Sequence, residues 1–116
     1  MNVEYYRTHC LSKVGVEEGF PFDTSTLVFK VGGKIFALLD IEEFVSVNLK
    51  CDPEYAIELR ERYEGILPGY HMNKRHWNTI LNDGSVSDKL LLELTDHSYD
   101  LVYQSLPAKV KSNLAS

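Results

Sequence analysis

Tyr70, His71, Asn73, Lys74, Arg75, His76, Trp77 and Asn78 fall in one run, residues 69–80, that contains no carboxylate. No acidic residue stands between Glu64 and Asp83, although the chain carries a formal net charge of −5. Cations pair with phosphates, amides donate to phosphate or base edges, and aromatic rings stack on or wedge between bases. The run therefore suits a polar or anionic partner. Lys30, Lys34 and Lys50 are the other cations that a shared surface could draw on.

Other chemistries find less support. His9, His71, His76 and His97 could enter a metal site, but metal-binding pairs share a face, and the odd separation of His71 and His76 puts them on opposite sides of a strand. No third ligand clusters with them, and neither a metal nor another cofactor is expected. Cys10 and Cys51 form no CxxC pair and read as buried free thiols. Lys50 before Cys51 would lower its pKa and Asp52 after it would raise it, so no activated nucleophile emerges. Glu17-Glu18 and Glu42-Glu43 are adjacent loop carboxylates of the solvent-exposed kind. No GxxxxGK[ST] or GxGxxG run is present. The chain is not expected to be an enzyme.

Hydrophobic periodicity and turn residues predict the helices and strands that carry these side chains. Asn2 can cap a first helix whose apolar stripe is Val3, Tyr6, Cys10 and Val14. The region 15–19 ends it, and Pro21 with Asp23-Thr24-Ser25 reads as a loop. Thr26–Val31 and Lys34–Asp40 are β-rich runs joined by Gly32-Gly33, a pair suited to a two-residue hairpin turn. Strict alternation puts Leu27, Phe29 and Val31 opposite Val28 and Lys30, and Lys34, Phe36 and Leu38 opposite Ile35, Ala37 and Leu39. A third strand is predicted over 44–50, with Val45, Val47 and Leu49 alternating with polar residues. Asp52-Pro53 starts a second helix along Ala56, Leu59 and Tyr63. Residues 76–82 read as a strand ending at Asp83-Gly84. Ser85 with Asp88, or Ser87 alone, caps a last helix whose face is Leu91, Leu94, Ser98, Leu101 and Ser105, with Leu90, Val102 and Leu106 beside it. Pro107 stops that helix, and 107–116 reads as a polar tail. The serines would let the helix lie close to the sheet.

The expected architecture is α+β, a two-layer sandwich with an antiparallel sheet and helices packed on one face, in the order α-β-β-β-α-β(β)-α. At 116 residues, 44% hydrophobic and 25% charged, the chain fits one soluble domain, 1–116. No run suits a membrane span or a signal peptide, so the expected compartment is the cytoplasm. The acidic balance argues against indiscriminate polyanion binding, and any nucleic-acid role must rest on a local patch.

Several ordered motifs run along the chain: Phe29-Lys30-Val31-Gly32-Gly33-Lys34-Ile35-Phe36-Ala37, Asn48-Leu49-Lys50 leading into Pro53-Glu54, Pro68-Gly69-Tyr70-His71-Met72-Asn73-Lys74-Arg75-His76-Trp77-Asn78, and Ser98-Tyr99-Asp100-Leu101-Val102. Together, over roughly residues 1–106, they resemble the MmcQ/YjbR family of small bacterial proteins. The resemblance implies a fold like that of frataxin-type and secretion-chaperone-like domains, and DNA binding through a paired-hairpin, or double-wing, arrangement. Carried onto this chain, the nucleic-acid-binding residues would be Lys30, Lys34, Lys50, His71, Asn73, Lys74, Arg75, His76 and Trp77. The leading expectation is a small monomeric DNA-binding protein with a regulatory role. The alternative is a non-catalytic protein-interaction domain whose sheet receives a partner peptide. A small-molecule pocket around Tyr70, His71, His76 and Trp77 is the third.

Overall fold

Gly32 and Gly33 adopt φ values of 58° and 81°, the two positive angles that a tight hairpin turn requires. They join β2 (Thr26–Val31) to β3 (Lys34–Asp40). A Cβ at Gly32 would lie 2.6 Å from Leu106 Cδ1, so the tip of this hairpin is pressed against the helical layer. The computed structural model describes residues 1–69 and 72–115. Around the hairpin it builds α1 (Val3–Leu11), β1 (Val16–Gly19), β4 (Ser46–Lys50), α2 (Pro53–Arg62), β5 (Ile66–Pro68), β6 (Trp77–Leu81), α3 (Asp88–Ser105) and α4 (Ala108–Ala115). The strands form one antiparallel sheet in the order β1-β2-β3-β4-β6-β5.

The α+β architecture is as the sequence predicts, with two additions. Val16-Glu17-Glu18-Gly19 is an edge strand on β2 rather than part of a loop; its paired glutamates are the charged side chains that keep an edge soluble. The segment after Pro107 is helical, and Val110 and Leu114 pack against the core. The third strand starts at Ser46, because Phe44 takes a left-handed φ of 47° and leaves Val45 exposed.

Helix starts follow their caps. Asn2, Asp52 and Ser87 accept from the backbone N–H groups of Tyr5, Tyr55 and Leu90. On α3 the buried face is Leu91, Leu94, Thr95, Ser98, Tyr99 and Val102. Leu101 is half-buried and Ser105 exposed, since a heptad-spaced stripe drifts around a straight helix by about 20° per heptad. Tyr6, Phe29, Phe36, Leu49, Ile66 and Ile80 fill the space between helices and sheet.

Polar contacts fasten α1 and the residues just after it to their neighbours. The Tyr6 and Thr95 hydroxyls lie 2.9 Å apart in the core. Asp96 meets His9 at 2.7 Å and Lys13 at 2.6 Å, and Arg7 grips both Glu18 oxygens at 2.7 and 2.8 Å.

A bulge in β3 decides which side chains reach the far side of the sheet. Lys30 pairs with Ile35 and Phe29 with Ala37, leaving Phe36 without a partner in β2. Simple alternation therefore fails here: Phe36 and Ala37 both enter the core, whereas Ile35 and Leu38 face away from the helices. The Ser98 hydroxyl repairs the gap. It accepts from the Lys50 N–H at 2.9 Å and donates to the Phe36 carbonyl at 2.5 Å.

Candidate functional site

Among the described residues, the face of the sheet opposite the helices carries a smaller apolar cluster than the helical side. Val28, Leu38 and Trp77 are buried there, with Ile35 and Met72 packed against them. Register adds Lys30, opposite Ile35 on one side and Glu17 on the other. It also adds Lys50 opposite Trp77, and Asn48 opposite Thr79. Thr79 donates to the Asn48 side chain at 2.6 Å, a cross-strand pair that satisfies two polar groups where water is largely excluded.

The turn before β6 lies at the rim. Gly69 donates to the Trp77 carbonyl at 3.0 Å, and a Cβ at Gly69 would meet Trp77 Cβ at 2.9 Å, so the chain enters this turn only through glycine. Asn73 organises the rest of the turn: its side chain accepts from the Arg75 N–H at 2.8 Å and its carbonyl from the His76 N–H at 3.2 Å. Arg60 of α2 donates to the Lys74 carbonyl at 2.8 Å, and Cys51, just past the end of β4, donates its N–H to the His76 carbonyl at 2.7 Å. The turn is thus tied to two elements, with Lys74 and Arg75 exposed on it.

These positions sort the residues singled out from sequence. Register puts Lys30 and Lys50 on the helix-free face, whereas Lys74, Arg75 and half-buried His76 stand on the turn beside it, whose Met72 packs onto that face. Lys34 pairs with core-facing Val31, so it leaves the hairpin toward the helices and does not join them. Trp77 is only 8% exposed; it covers the sheet rather than presenting a stacking surface. Asn73 spends its side chain on the turn. Asn78 points inward, donating weakly to the Ala56 carbonyl at 3.4 Å, and its buried Oδ1 has no partner among the described residues. Tyr70 and His71 lie outside the described residues, as does part of the small-molecule pocket they would line.

Sequence reasoning placed the loop between β1 and β2 but missed its two exposed rings. Phe20 and Phe22 are 46% and 66% exposed, and they overlook the same face. Phe20 lines a recess of about 310 Å³ with Pro21, Val28 and Lys30, and Phe22 lines one of about 440 Å³ with Leu38 and Met72. The available signal was two phenylalanines flanking a proline beside a turn sequence.

Titratable groups elsewhere point away from covalent chemistry. Cys10 and Cys51 are buried free thiols; burial pushes Cys10 up to about 12 and Cys51 up to about 11. Both are protonated at neutral pH and poorly nucleophilic. Burial pushes His97 down despite the nearby carboxylates of Asp52 and Asp100, and its Nε2 accepts from the Asp52 N–H at 3.2 Å. The cavity that Cys51, Asn78 and His97 line measures about 10 Å³, the size of a single water. Among the described residues no three His, Cys, Asp or Glu side chains converge on a metal position.

A family model described as YjbR matches residues 11–101. The chain is 32% identical over 115 residues to the uncharacterized protein YjbR of Escherichia coli strain K12, covering 98% of each. It is 40% identical over 92 residues to the uncharacterized protein YbdF of Escherichia coli O157:H7, covering 78% of this chain and 75% of that one. Among solved structures, Deinococcus radiodurans protein DR2400 superposes with a TM-score of 0.92 at 40% identity, over 98% of this chain and 88% of the other. A Pseudomonas syringae protein gives 0.75 at 29% identity, over 88% and 99%.

Proposed function

The chain belongs to the YjbR family, and on that premise we propose that its helix-free sheet face, with the 72–76 turn at the rim, binds nucleic acid as a small, non-catalytic DNA-binding module. We place it in the cytoplasm, acting as a monomer with a regulatory role.

The observation that carries this reading is where the charge lies. Register sets Lys30 and Lys50 on this face with Glu17 and Asp40, Asp23 lines its recess at Phe22, and the turn whose Met72 packs onto it adds exposed Lys74 and Arg75, so that cations match the carboxylates here in a chain whose net charge is −5. A patch of this sort attracts a polyanion at short range while the rest of the surface repels it. Binding is then weak and salt-sensitive, since each neutralised duplex phosphate contributes about −0.9 to the slope of log K against log salt.

The test is a fluorescence titration with labelled DNA at low salt, comparing wild type with Lys74→Ala/Arg75→Ala. The double variant should bind weakly, with a slope shallower by about 2, and keep its fold. Equal affinity in the two proteins would remove the site. A protein-interaction domain draws on the same face through the apolar recess at Phe22, Leu38 and Met72. It is the better reading if a stable protein partner is captured and no oligonucleotide binds.

A further inference from the structure

We propose that the nucleic acid taken by this face is single-stranded DNA, its bases stacking on Phe20 and Phe22 while Lys30, Lys50, Lys74 and Arg75 follow the phosphates. The inference rests on the nucleic-acid reading above and names the form of the ligand.

The two rings are the first argument. Of the chain's five phenylalanines, Phe29, Phe36 and Phe44 are core residues, whereas Phe20 and Phe22 stand exposed beside open recesses. Exposed rings next to cations are the two components of single-strand binding: stacking on a π face, and electrostatic tracking of the backbone. The end of the loop that follows the rings is fastened. Asp23 accepts from the Ser25 and Thr26 N–H groups at 2.9 and 2.6 Å and from the Thr26 hydroxyl at 3.1 Å. Those bonds hold its carboxylate below the usual range. Ile41 then donates to the Ser25 carbonyl at 2.9 Å. A loop ordered before binding spares the ligand that entropic cost.

The shape of the face is the second argument. A major groove about 12 Å wide admits a helix or a two-stranded ribbon, while six strands at about 4.8 Å spacing span roughly 24 Å. The helices lie on the other side, and the tip of the β2–β3 hairpin, the natural candidate for a projecting wing, abuts Leu106. A sheet face of this breadth does not fit inside a groove, but an unpaired strand with splayed bases can lie across it. Charge agrees: a duplex carries one charge per about 1.7 Å, and Glu17 and Asp23 stand beside the recesses. The floor next to the rings is apolar, made by Val28, Leu38 and Met72, which suits a strand without 2′-hydroxyls.

Fluorescence anisotropy with labelled 12-nucleotide oligo-deoxythymidine, oligo-uridine and a 12-base-pair duplex would test the inference. The proteins are wild type, Phe20→Ala/Phe22→Ala, Phe20→Leu/Phe22→Leu and Lys74→Ala/Arg75→Ala, with folding checked by circular dichroism. Oligo-deoxythymidine should bind most tightly. The alanine pair should lose roughly fivefold or more per ring with its salt slope unchanged. The leucine pair should lose nearly as much, since leucine is apolar but offers no π face. A preference for duplex, or wild-type affinity in either phenylalanine variant, overturns this inference while a loss in Lys74→Ala/Arg75→Ala preserves the nucleic-acid reading. Tighter binding of oligo-uridine overturns the assignment to DNA. Failure of every probe overturns both.

Discussion

The two faces of the sheet are built from the same six strands and put to different ends. Against the helices, Phe29, Phe36, Leu49 and Ile80 are almost wholly buried, and Tyr99 meets Phe36 edge-on at 5.4 Å. On the other side Val28, Leu38 and Trp77 make a three-residue cluster, surrounded by Lys30, Lys50 and the Asn48–Thr79 pair. One face holds the fold together. The other is kept dry enough to preserve the sheet and polar enough to stay in water, and it faces both loops that carry exposed chemistry.

The sharpest way to break that division is Phe36→Ala. Removing a fully buried phenyl group should cost about 3–5 kcal/mol, read from urea denaturation. Whatever fraction stays folded should bind oligonucleotide as wild type does. Lys74→Ala/Arg75→Ala should do the reverse, shifting stability by no more than about 0.5 kcal/mol per exposed substitution while affinity falls. If both variants changed both properties, the faces would not be separable.

Ser98→Ala probes the seam between them. The serine hydroxyl satisfies the Lys50 N–H and the Phe36 carbonyl where the bulge opens the β3–β4 ladder. Losing both partners should cost about 2–3 kcal/mol. The effect should also cross the sheet, since the same backbone N–H anchors Lys50: its amide should exchange with solvent measurably faster. Unchanged exchange would mean that the ladder closes without the hydroxyl.

How far each face is legible in the sequence depends on how local its determinants are. Gly32-Gly33 fixes its turn by backbone freedom alone, and Asn2, Asp52 and Ser87 cap their helices within three residues, so these features are readable directly. The bulge is not, because the hydroxyl that sustains it lies 62 residues from Phe36. The edge strand β1 is short and acidic, and its pairing with β2 decides its state. α4 looks like a polar tail until its Val110 and Leu114 find the core. At the candidate site, the Lys74-Arg75 turn is visible as a carboxylate-free run. The burial of Trp77 depends on Met72, Val28 and Leu38 meeting over it, and Phe20 and Phe22 acquire meaning only once β1 brings their loop over the same face.

Acid should separate the faces in a gentler way. His97, on the helical side, is held neutral by burial, and its Nε2 accepts the Asp52 N–H at the start of α2. A histidine whose folded pKa lies below its ordinary value near 6.5 contributes stability that is complete above that value and is lost as pH falls through the depressed one. Urea midpoints should therefore drop between pH 7.5 and 5, and His97→Gln should flatten that part of the profile. An unchanged profile in the variant would assign the drop elsewhere.

The smallest expected effect lies on the open face and has the opposite sign from the losses above. Glu17 sits directly across from Lys30 in the β1–β2 register, so it tempers one of the cations assigned to the phosphates. An exposed pair of this kind is worth about 0.2–1 kcal/mol. Glu17→Gln leaves the edge strand's hydrogen bonds in place, removes the opposing charge, and should raise oligonucleotide affinity by about twofold at low salt, with the gain vanishing as ionic strength screens the pair. Glu4→Gln is the control from the helical side, since Glu4 stands on α1 beside Arg7, and it should leave affinity unchanged. Equal gains in the two variants would mean that net charge alone governs binding and that the sheet's two sides are not distinguished by the ligand.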